Sequence, residues 1–411
     1  MEAIQERDRH ERSSWGLSID ESRAALSPLE SELAGYWQRI LGTDSVQPTD
    51  SFLNLGGTPD QGARLIEQLE ARFQVVLHLP WLLAAPTLRE QAAWLQYRCI
   101  DRRTAPEDPV DIEKWRQYFW RRFKAEPPIR LEKKNRRAVF VLSPPRSGST
   151  LLRVMLAGHP GLFSPPELEL LCCAGMAERY ESLRQGWLDF RGLERALAEL
   201  TADSSEQAAA EVDRWVREDR AVPEVYASLQ ALCGHRLLVD KSPAYCLNPT
   251  ALLRSEAWFE APLYVHLVRH PLATIRSWIE TNFDQVVWNA PRATAEAIWL
   301  IGHENILDFL SQLPPERQFR LRYCDLVVDP ERWMRGLCDF LGLDFHPATL
   351  QPYEGKRMSE RVGGLVAGDK NFLRRSSIDP TRAGFACRLP GDGPLSPDAR
   401  RMAERLGYSD L

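Results

Sequence analysis

A short turn between a buried strand and a helix carries the residues with the clearest chemistry. Ser143–Thr150 reads SPPRSGST and follows the apolar run AVFVL. The start of a helix presents free backbone N–H groups, and the helix dipole adds positive potential there. Gly148 lets the backbone approach a phosphate closely, and Arg146 adds a permanent cation. The segment therefore predicts a phosphate-binding loop. Its hydroxyl donors are Ser147, Ser149 and Thr150.

This loop departs from the Walker pattern GxxxxGK[ST] at two positions. When the two are aligned on Gly148, Ser143 stands at the first Gly and Ser149 stands at the Lys. The Walker Lys contacts the β- and γ-phosphates of a nucleotide. Its absence disfavours a nucleotide-dependent phosphotransferase, which stays open as an alternative.

A second cation follows the later apolar run LYVHLV. Arg269 comes directly after this run, Pro271 fits the start of a helix, and Ser277 lies eight residues beyond the Arg. Ligands of open α/β sheets bind where parallel strands end and helices begin. We therefore expect both cation-bearing segments to lie at the same edge of one sheet.

Together the two segments resemble the sulfotransferases that use 3′-phosphoadenosine 5′-phosphosulfate (PAPS). PRSGST is similar to the phosphosulfate-binding loop of that family, and Arg269 with Ser277 is similar to its site for the 3′-phosphate. The resemblance covers roughly residues 138 to 380 and implies PAPS as donor and PAP as product. It also implies that Tyr323 lies near the adenosine and that Lys370, in GDKNF, binds a phosphate from a late closing loop. No metal is expected, because no carboxylate cluster has hard-cation spacing.

The family resemblance also implies catalytic residues. Sulfuryl transfer is an in-line displacement, in which positioning and charge stabilisation supply most of the rate by analogy with phosphoryl transfer. Arg146 would lie near the transferring group. Lys241, at the end of LLVDK, resembles a strand-end Lys of the tyrosylprotein branch and would stabilise the leaving phosphate.

Two residues compete for the role of general base. Glu167 resembles the catalytic Glu of the tyrosylprotein branch, but a carboxylate at a helix start can also simply favour the helix dipole. His303 has the ordinary acidity of a general base. It shares a predicted helix face with Trp299 and Leu307, however, which is typical of a packed core. The sequence leaves this choice open.

Several short apolar runs must form the framework that positions these residues. AVFVLS, RLLVDKS, LYVHLVRH and FRLRYCDLVV read as strands, with helical stretches between them. This alternation predicts an α/β fold, a P-loop-type parallel sheet flanked by helices. We predict a polar leader over 1–24, a helical domain over 25–98, a linker over 99–137 with a helix near Ile112–Lys124, and the sulfotransferase domain over 138–411.

The domain at 25–98 resembles an acyl or peptidyl carrier protein, a small all-α bundle. Helices are predicted over Pro28–Leu41 and Asp60–Phe73, and Thr87 fits the cap of a last helix. In carriers, a Ser two residues after the second Gly of the motif accepts phosphopantetheine. Here Pro59 occupies that position and Thr58 is one residue out of register, so phosphopantetheine is expected on neither. The domain is then either structural or a docking module.

Composition narrows the class of protein. The 411 residues, 44% of them hydrophobic, fit a globular protein of two domains, and the net charge of −5 predicts no general attraction to nucleic acid or anionic membranes. The eight cysteines show neither a CxxC pair nor a zinc spacing. This cysteine pattern, the charged N-terminus and the lack of an apolar run of membrane-spanning length together predict a cytoplasmic protein.

These observations converge on one expectation with two alternatives. We expect a PAPS-dependent sulfotransferase acting on a hydroxyl, or with less support an amine, of a natural-product intermediate that is either free or carrier-tethered. Polyketide synthase or nonribosomal peptide synthetase proteins would be its partners. The phosphotransferase and a catalytically inactive docking scaffold stay open. The scaffold is disfavoured because it needs no phosphate cage of the kind formed by Arg146, Ser149, Arg269 and Ser277.

Overall fold

The computed structural model describes most of the chain between residues 26 and 408. The described residues are 26–73, 77, 82, 87–92, 95, 112–122, 128, 130–184, 192–280, 291–354, 357, 361–362, 365–366, 376–381, 383 and 394–408. The predicted leader over 1–24 and Lys370 lie outside these residues. None of the described helices is both long and apolar enough to cross a membrane.

Five short strands form one parallel sheet, as predicted for the fold class. The order across the sheet is β2-β3-β1-β4-β5, and every neighbouring pair is parallel. All residues of β1 and β4 are buried, as expected for strands covered on both faces. The strands are β1 (Val139–Leu142), β2 (Leu162–Phe163), β3 (Leu237–Asp240), β4 (Leu263–Val268) and β5 (Gln318–Arg322).

Side chains of β1 alternate between two hydrophobic cores. Val139 and Val141 lie in one cluster with Leu152, whereas Phe140 and Leu142 lie in the other. Helices therefore cover both faces of the sheet, which is the predicted arrangement.

Helices occupy the connections between the strands and the segments at both ends of the chain. In chain order they are α1 (Pro28–Leu41), α2 (Pro59–Phe73), α3 (Ile112–Arg122), α4 (Ser149–Leu156), α5 (Met176–Arg184), α6 (Gly192–Thr201), α7 (Ser205–Arg217), α8 (Val222–Cys233), α9 (Pro249–Trp258), α10 (Pro271–Glu280), α11 (Pro291–Leu310), α12 (Tyr323–Val328), α13 (Pro330–Leu341) and α14 (Pro397–Arg405). Short 3₁₀ turns cover Pro243–Leu247, Pro315–Arg317 and Pro347–Leu350, and Arg361–Val362 pairs with Leu365–Val366 as an antiparallel ribbon.

The run FRLRYCDLVV was expected to be a single strand, and this was wrong in its second half. The strand ends at Arg322, and α12 begins at Tyr323. Arg322 forms an ion pair with Asp325 at 2.8 Å, and this i to i+3 pairing favours a helical turn. The residues after Arg322 therefore form a helical turn and do not extend β5. The short strand β2 was not predicted at all.

The N-terminal helices enclose a small core of their own. Ser27 and Glu30 form a capping box at the start of α1, and Gly42 ends this helix in the left-handed conformation. Trp37 packs edge-on against Phe52 at 5.2 Å and donates to a buried Gln91 at 3.1 Å. The buried leucines of this core are Leu33, Leu65, Leu69, Leu77, Leu82, Leu88 and Leu95.

Helix α3, predicted as part of a linker, packs into the core of the larger domain. Ile112, Trp115 and Phe119 lie on its buried face and belong to the cluster on one side of the sheet. Arg116 forms an ion pair with Glu304 of α11 at 2.6 Å. The larger domain therefore includes this helix structurally.

Candidate active site

Five candidate residues lie along the carboxyl edge of the sheet. In the order of the strands, Glu167 follows β2, Lys241 follows β3, Arg146 follows β1, Arg269 follows β4 and Tyr323 follows β5. Parallel strands bring their carboxyl ends to one edge, which is where open α/β sheets bind ligands. Each strand of the sheet thus delivers one candidate side chain to a common edge.

The turn after β1 has a tightly curled backbone. Arg146 and Gly148 both have left-handed backbone angles, with φ of 65° and 89°. A Cβ added at Gly148 would overlap Cδ2 and Cε2 of Tyr323, so only glycine fits there. Helix α4 begins at Ser149 and Thr150, and its first N–H groups need acceptors from outside the helix. Among the described residues, the buried hydroxyl of Ser147 has no hydrogen-bond partner.

Hydrogen bonds join this turn to the segment after β4. Arg269 donates from Nη1 to the main-chain carbonyl of Arg146 at 2.8 Å, and Arg146 donates from Nε to Ser277 Oγ at 3.3 Å. The Arg269 guanidinium also lies over the Tyr323 ring, 4.7 Å from its centre. Trp299 donates to the carbonyl of Arg269 at 3.0 Å. The two segments singled out from the sequence therefore form one cationic cluster.

Glu167 and Lys241 form an ion pair beside this cluster. Lys241 Nζ donates to Glu167 Oε1. The Lys241 side chain is only 3% exposed, whereas the Glu167 side chain is 31% exposed. The carboxylate thus remains accessible to a bound molecule, while the ammonium is held within the protein.

His303 lies in the interior and not at this edge. It has no exposed surface. Its Nδ1 is 3.0 Å from Nε2 of His266 in β4, and its ring packs edge-on against Trp299 at 4.9 Å. Burial lowers the pKa of His303 well below the ordinary histidine range and lowers the pKa of His266 to about 3. Both rings are therefore neutral near pH 7.

A buried polar network next to the ion pair was missed by the sequence analysis. Asp240, the last residue of β3, is fully buried and accepts hydrogen bonds from Ser242, Tyr226 and Tyr245 at 2.8, 2.5 and 2.8 Å. Burial raises the pKa of Asp240, and the three hydroxyl donors oppose this rise. The one signal available in the sequence was a charged residue that completes the apolar strand LLVD.

Glu169 is a second buried carboxyl group that was not predicted. It has a left-handed backbone, with φ of 52°, and is 3% exposed. Burial, followed by the negative charges of Glu167 and Asp240, raises its pKa well above the ordinary carboxyl range. Its surroundings therefore favour the protonated form of this carboxyl group over the charged form.

In the N-terminal domain, the hydroxyl of Thr58 caps helix α2. Thr58 Oγ1 accepts from the backbone N–H of Gln61 at 3.3 Å, and Gln61 Oε1 accepts from the backbone N–H of Thr58 at 2.9 Å. This reciprocal pair satisfies two otherwise free donors at the helix start. Pro59 is the first helical residue.

The site as described consists of cations and carboxylates without a metal-binding cluster. Within the described ranges, no group of three or more His, Cys, Asp or Glu side chains could hold a metal ion. A strand, a curled turn with a left-handed Gly, a helix start and a second strand-end Arg define an α/β protein of the P-loop type.

Comparison with known proteins gives the family. Residues 138–347 match the sulfotransferase family, and residues 31–95 match the phosphopantetheine attachment site family. The chain therefore belongs to the sulfotransferase family and carries a carrier-type domain before its catalytic domain.

Two solved structures resemble the catalytic domain over almost their full length. One is the sulfotransferase domain from the curacin biosynthetic pathway, with 42% identity, a TM-score of 0.63, and coverage of 67% of this chain and 99% of that one. The other is the sulfotransferase domain from the Synechococcus PCC 7002 olefin synthase, with 40% identity, a TM-score of 0.64, and coverage of 69% and 99%.

A curated relative is more distant. Nodulation protein NoeE of Sinorhizobium fredii is 26% identical over 262 residues, which represent 58% of this chain. The chain spans only 57% of the length of that relative.

Proposed function

We propose that this protein transfers a sulfuryl group from PAPS to a hydroxyl of a carrier-tethered biosynthetic intermediate. The observation that carries the proposal is the pair of clusters at adjacent strand ends. Arg146, Arg269 and Ser277 are bonded into one cationic cluster, and the Glu167–Lys241 ion pair lies after β2 and β3. The first suits a polyanionic nucleotide, and the second suits an acid–base reaction beside it.

The residues at the β1 turn fit a phosphosulfate group. The start of α4 offers N–H donors and a positive dipole, and the Ser147 hydroxyl, which lacks a partner among the described residues, is an additional donor. Arg269 and Ser277 would hold the 3′-phosphate, and the Tyr323 ring would lie beside the adenosine. When bound, PAPS supplies an activated sulfuryl group. Arg146 would then lie beside that group.

Glu167 is our choice of general base over His303. A base must come within hydrogen-bond reach of the acceptor hydroxyl. Glu167 is partly exposed, whereas His303 has no exposed surface and its Nδ1 is engaged by His266. In this proposal, Lys241 orients the Glu167 carboxylate and adds positive charge where negative charge develops on the leaving phosphate. His303 is assigned to packing.

The acceptor is inferred from the carrier-type domain and from the two similar structures. One of those belongs to a biosynthetic pathway and the other to an olefin synthase. A hydroxyl converted to a sulfate ester becomes a good leaving group, which is one chemical route to an olefin. We therefore propose a 3-hydroxyacyl thioester on a polyketide synthase or nonribosomal peptide synthetase carrier as the acceptor.

The direct test is transfer from radiolabelled PAPS to the 3-hydroxyacyl thioester of a carrier protein. The same acyl group on free pantetheine and the matching 3-aminoacyl thioester serve as comparisons. We expect label on the hydroxyacyl carrier, less on free pantetheine and none on the amine. Label on none of the acceptors, with PAP bound, would reject this acceptor class.

Two alternatives have distinct outcomes in the same experiment. A phosphotransferase would transfer the terminal phosphate of labelled ATP to the acceptor, whereas a docking scaffold would bind the carrier but neither nucleotide. The position of Ser149 where the Walker motif has Lys disfavours the first. The bonded Arg146–Arg269 cluster disfavours the second.

A further inference from the structure

The loop that carries Glu167 is held by side chains and not by a sheet. After β2 the chain runs through Glu167 to Leu171 without regular secondary structure. The backbone N–H of Glu169 donates to Ser242 Oγ at 3.0 Å. The N–H groups of Leu170 and Leu171 both donate to Tyr245 OH, at 3.0 and 3.2 Å. Buried N–H groups need such acceptors, because a buried N–H group without an acceptor destabilises the fold.

Both of those hydroxyls donate their protons to Asp240. Ser242 Oγ and Tyr245 OH lie 2.8 Å from the Asp240 carboxylate, on Oδ1 and Oδ2 respectively. Because both Asp240 oxygens accept, the two hydroxyl protons point toward the carboxyl group. The oxygen lone pairs of Ser242 and Tyr245 are then directed to the loop. Asp240 thus makes both hydroxyl oxygens available as acceptors for the N–H groups of the loop.

Two buried arginines hold the carbonyl groups of the same loop. Arg179 donates to the carbonyl of Leu168 at 3.0 and 3.2 Å, and Arg254 donates to the carbonyl of Leu171 at 2.9 Å. The loop is therefore fixed through its N–H groups from the β3 side and through its carbonyls from α5 and α9. Such a fixed loop leaves Glu167 little freedom to move away from Lys241.

We propose that Asp240 is a positioning residue that fixes the Glu167–Lys241 pair through Ser242 and Tyr245. Lys241 is the next residue after Asp240, and Glu167 lies on the loop that the two hydroxyls hold. One buried carboxylate thus sets both partners of the ion pair. This inference rests on the proposed function, since it concerns the geometry of the proposed base.

The structure offers a matched pair of variants. The hydroxyls of Tyr245 and Tyr226 both donate to Asp240 Oδ2, but only Tyr245 accepts from the loop. Within the part of the chain that the structure describes, the other hydrogen bond of Tyr226 OH is the 3.4 Å contact with Tyr245. Tyr245→Phe and Tyr226→Phe therefore remove the same group from the same carboxylate, and they differ in their connection to the loop. Ser242→Ala removes the other link without changing an aromatic residue.

The test measures kcat, the KM for PAPS and PAP affinity for these variants and for Asp240→Asn. We expect Tyr245→Phe, Ser242→Ala and Asp240→Asn each to lower kcat by about tenfold or more, with the KM for PAPS and the PAP Kd within about twofold of wild type. Tyr226→Phe should keep kcat within about threefold of wild type. Equal losses of kcat in the two Tyr variants, or PAP affinity lost together with kcat, would overturn the proposal.

Amide hydrogen exchange provides a readout that needs no acceptor. The Leu170 and Leu171 amides should exchange about tenfold or more faster in Tyr245→Phe than in Tyr226→Phe. Unchanged exchange in Tyr245→Phe would overturn the proposal even if kcat fell. The wild-type protein could instead show protected Leu170 and Leu171 amides but transfer no sulfuryl group. That result would contradict the proposed function without contradicting the hydrogen-bond network of the loop.

Discussion

Gly148 and Tyr323 are in such close contact that the ring of Tyr323 occupies the space of a side chain at position 148. These two residues follow β1 and β5, at opposite sides of β4 in the sheet. The Tyr323 ring also lies under the Arg269 guanidinium. The shape of the phosphate-binding turn and the position of the second cation therefore depend on the same aromatic ring.

This contact predicts a specific loss of donor binding in Gly148→Ala. The new methyl group would displace Tyr323 and strain a backbone with φ of 89°. We expect PAP affinity, measured by calorimetry, to fall at least about tenfold, or about 1.4 kcal/mol. Gly342→Ala is the control, because Gly342 is also left-handed, with φ of 71°, but has open space around it. It should lose about 1 kcal/mol of stability and no PAP affinity. Equal PAP affinities of the two variants would contradict the role of this contact.

Glu167→Gln should separate catalysis from donor binding. Loss of a general base typically costs about 10²–10⁴-fold in rate, so kcat should fall by about a hundredfold or more while PAP affinity is retained. Glu224→Gln is the control, because Glu224 is 66% exposed and its ion pair with Arg220 is loose, at 3.6 Å. Steady-state kinetics with the carrier-tethered acceptor would measure both variants. A Glu167→Gln variant with near wild-type kcat would show that Glu167 is not the general base.

The buried His266–His303 pair should make the fold sensitive to acid. Burial lowers the pKa of both groups, that of His266 to about 3. Between about pH 6.5 and pH 3, these histidines bind protons in the unfolded chain but not in the folded chain. The free energy of unfolding therefore falls as the pH falls. Urea unfolding at pH 7.5 and 5.5 should show this loss, and His303→Gln should reduce the loss by about 1 kcal/mol.

The exposed His235 provides the matched substitution for this measurement. His235→Gln removes a histidine from the surface and should keep the full loss between the two pH values. If His303→Gln and His235→Gln gave the same pH dependence as wild type, the buried pair would not be the source of acid sensitivity.

Position 59 should decide whether the carrier-type domain can be modified. Pro59 lacks a hydroxyl, and the Thr58 hydroxyl caps α2 by accepting from Gln61. We expect wild-type protein incubated with coenzyme A and a broad-specificity phosphopantetheinyl transferase to keep its mass. The Pro59→Ser variant should gain one phosphopantetheine. The Thr58→Ser variant, which keeps Pro59, should gain none. Modification of the wild-type chain would contradict the loss of carrier chemistry.

The sequence predicted the framework well where the signal was local. The α/β class and the sites of four strands followed from short apolar runs, and α1 was predicted with the bounds Pro28–Leu41 that the structure has. The β1 turn and the Arg269 segment were found because a strand, a polar turn and a helix occur within a few residues. The two-residue strand β2 was missed, since it is too short to produce a pattern.

Side-chain relationships across long separations could not be predicted in the same way. The contact of Lys241 with Glu167 depends on β2 and β3 being neighbours, which the chain order does not specify. The helical spacing of His303 allowed both a packed and a catalytic position, and only the proximity of His266 in β4 reveals the buried pair. Asp240 gave a weak signal because its partners Ser242, Tyr245 and Tyr226 are uncharged.

The most direct test of the account is a calorimetric cycle with PAP, AMP and ATP. AMP lacks the 3′-phosphate of PAP, so the difference between their affinities measures the binding of that group. For the wild-type protein we predict micromolar PAP binding and much weaker binding of AMP and ATP. The preference for PAP over AMP, taken as the ratio of their affinities, should fall at least about tenfold in Arg269→Ala and in Ser277→Ala. Arg146→Ala should weaken PAP binding as well. Absence of PAP binding by the wild-type protein, or tighter binding of ATP than of PAP, would contradict a PAPS-dependent sulfotransferase.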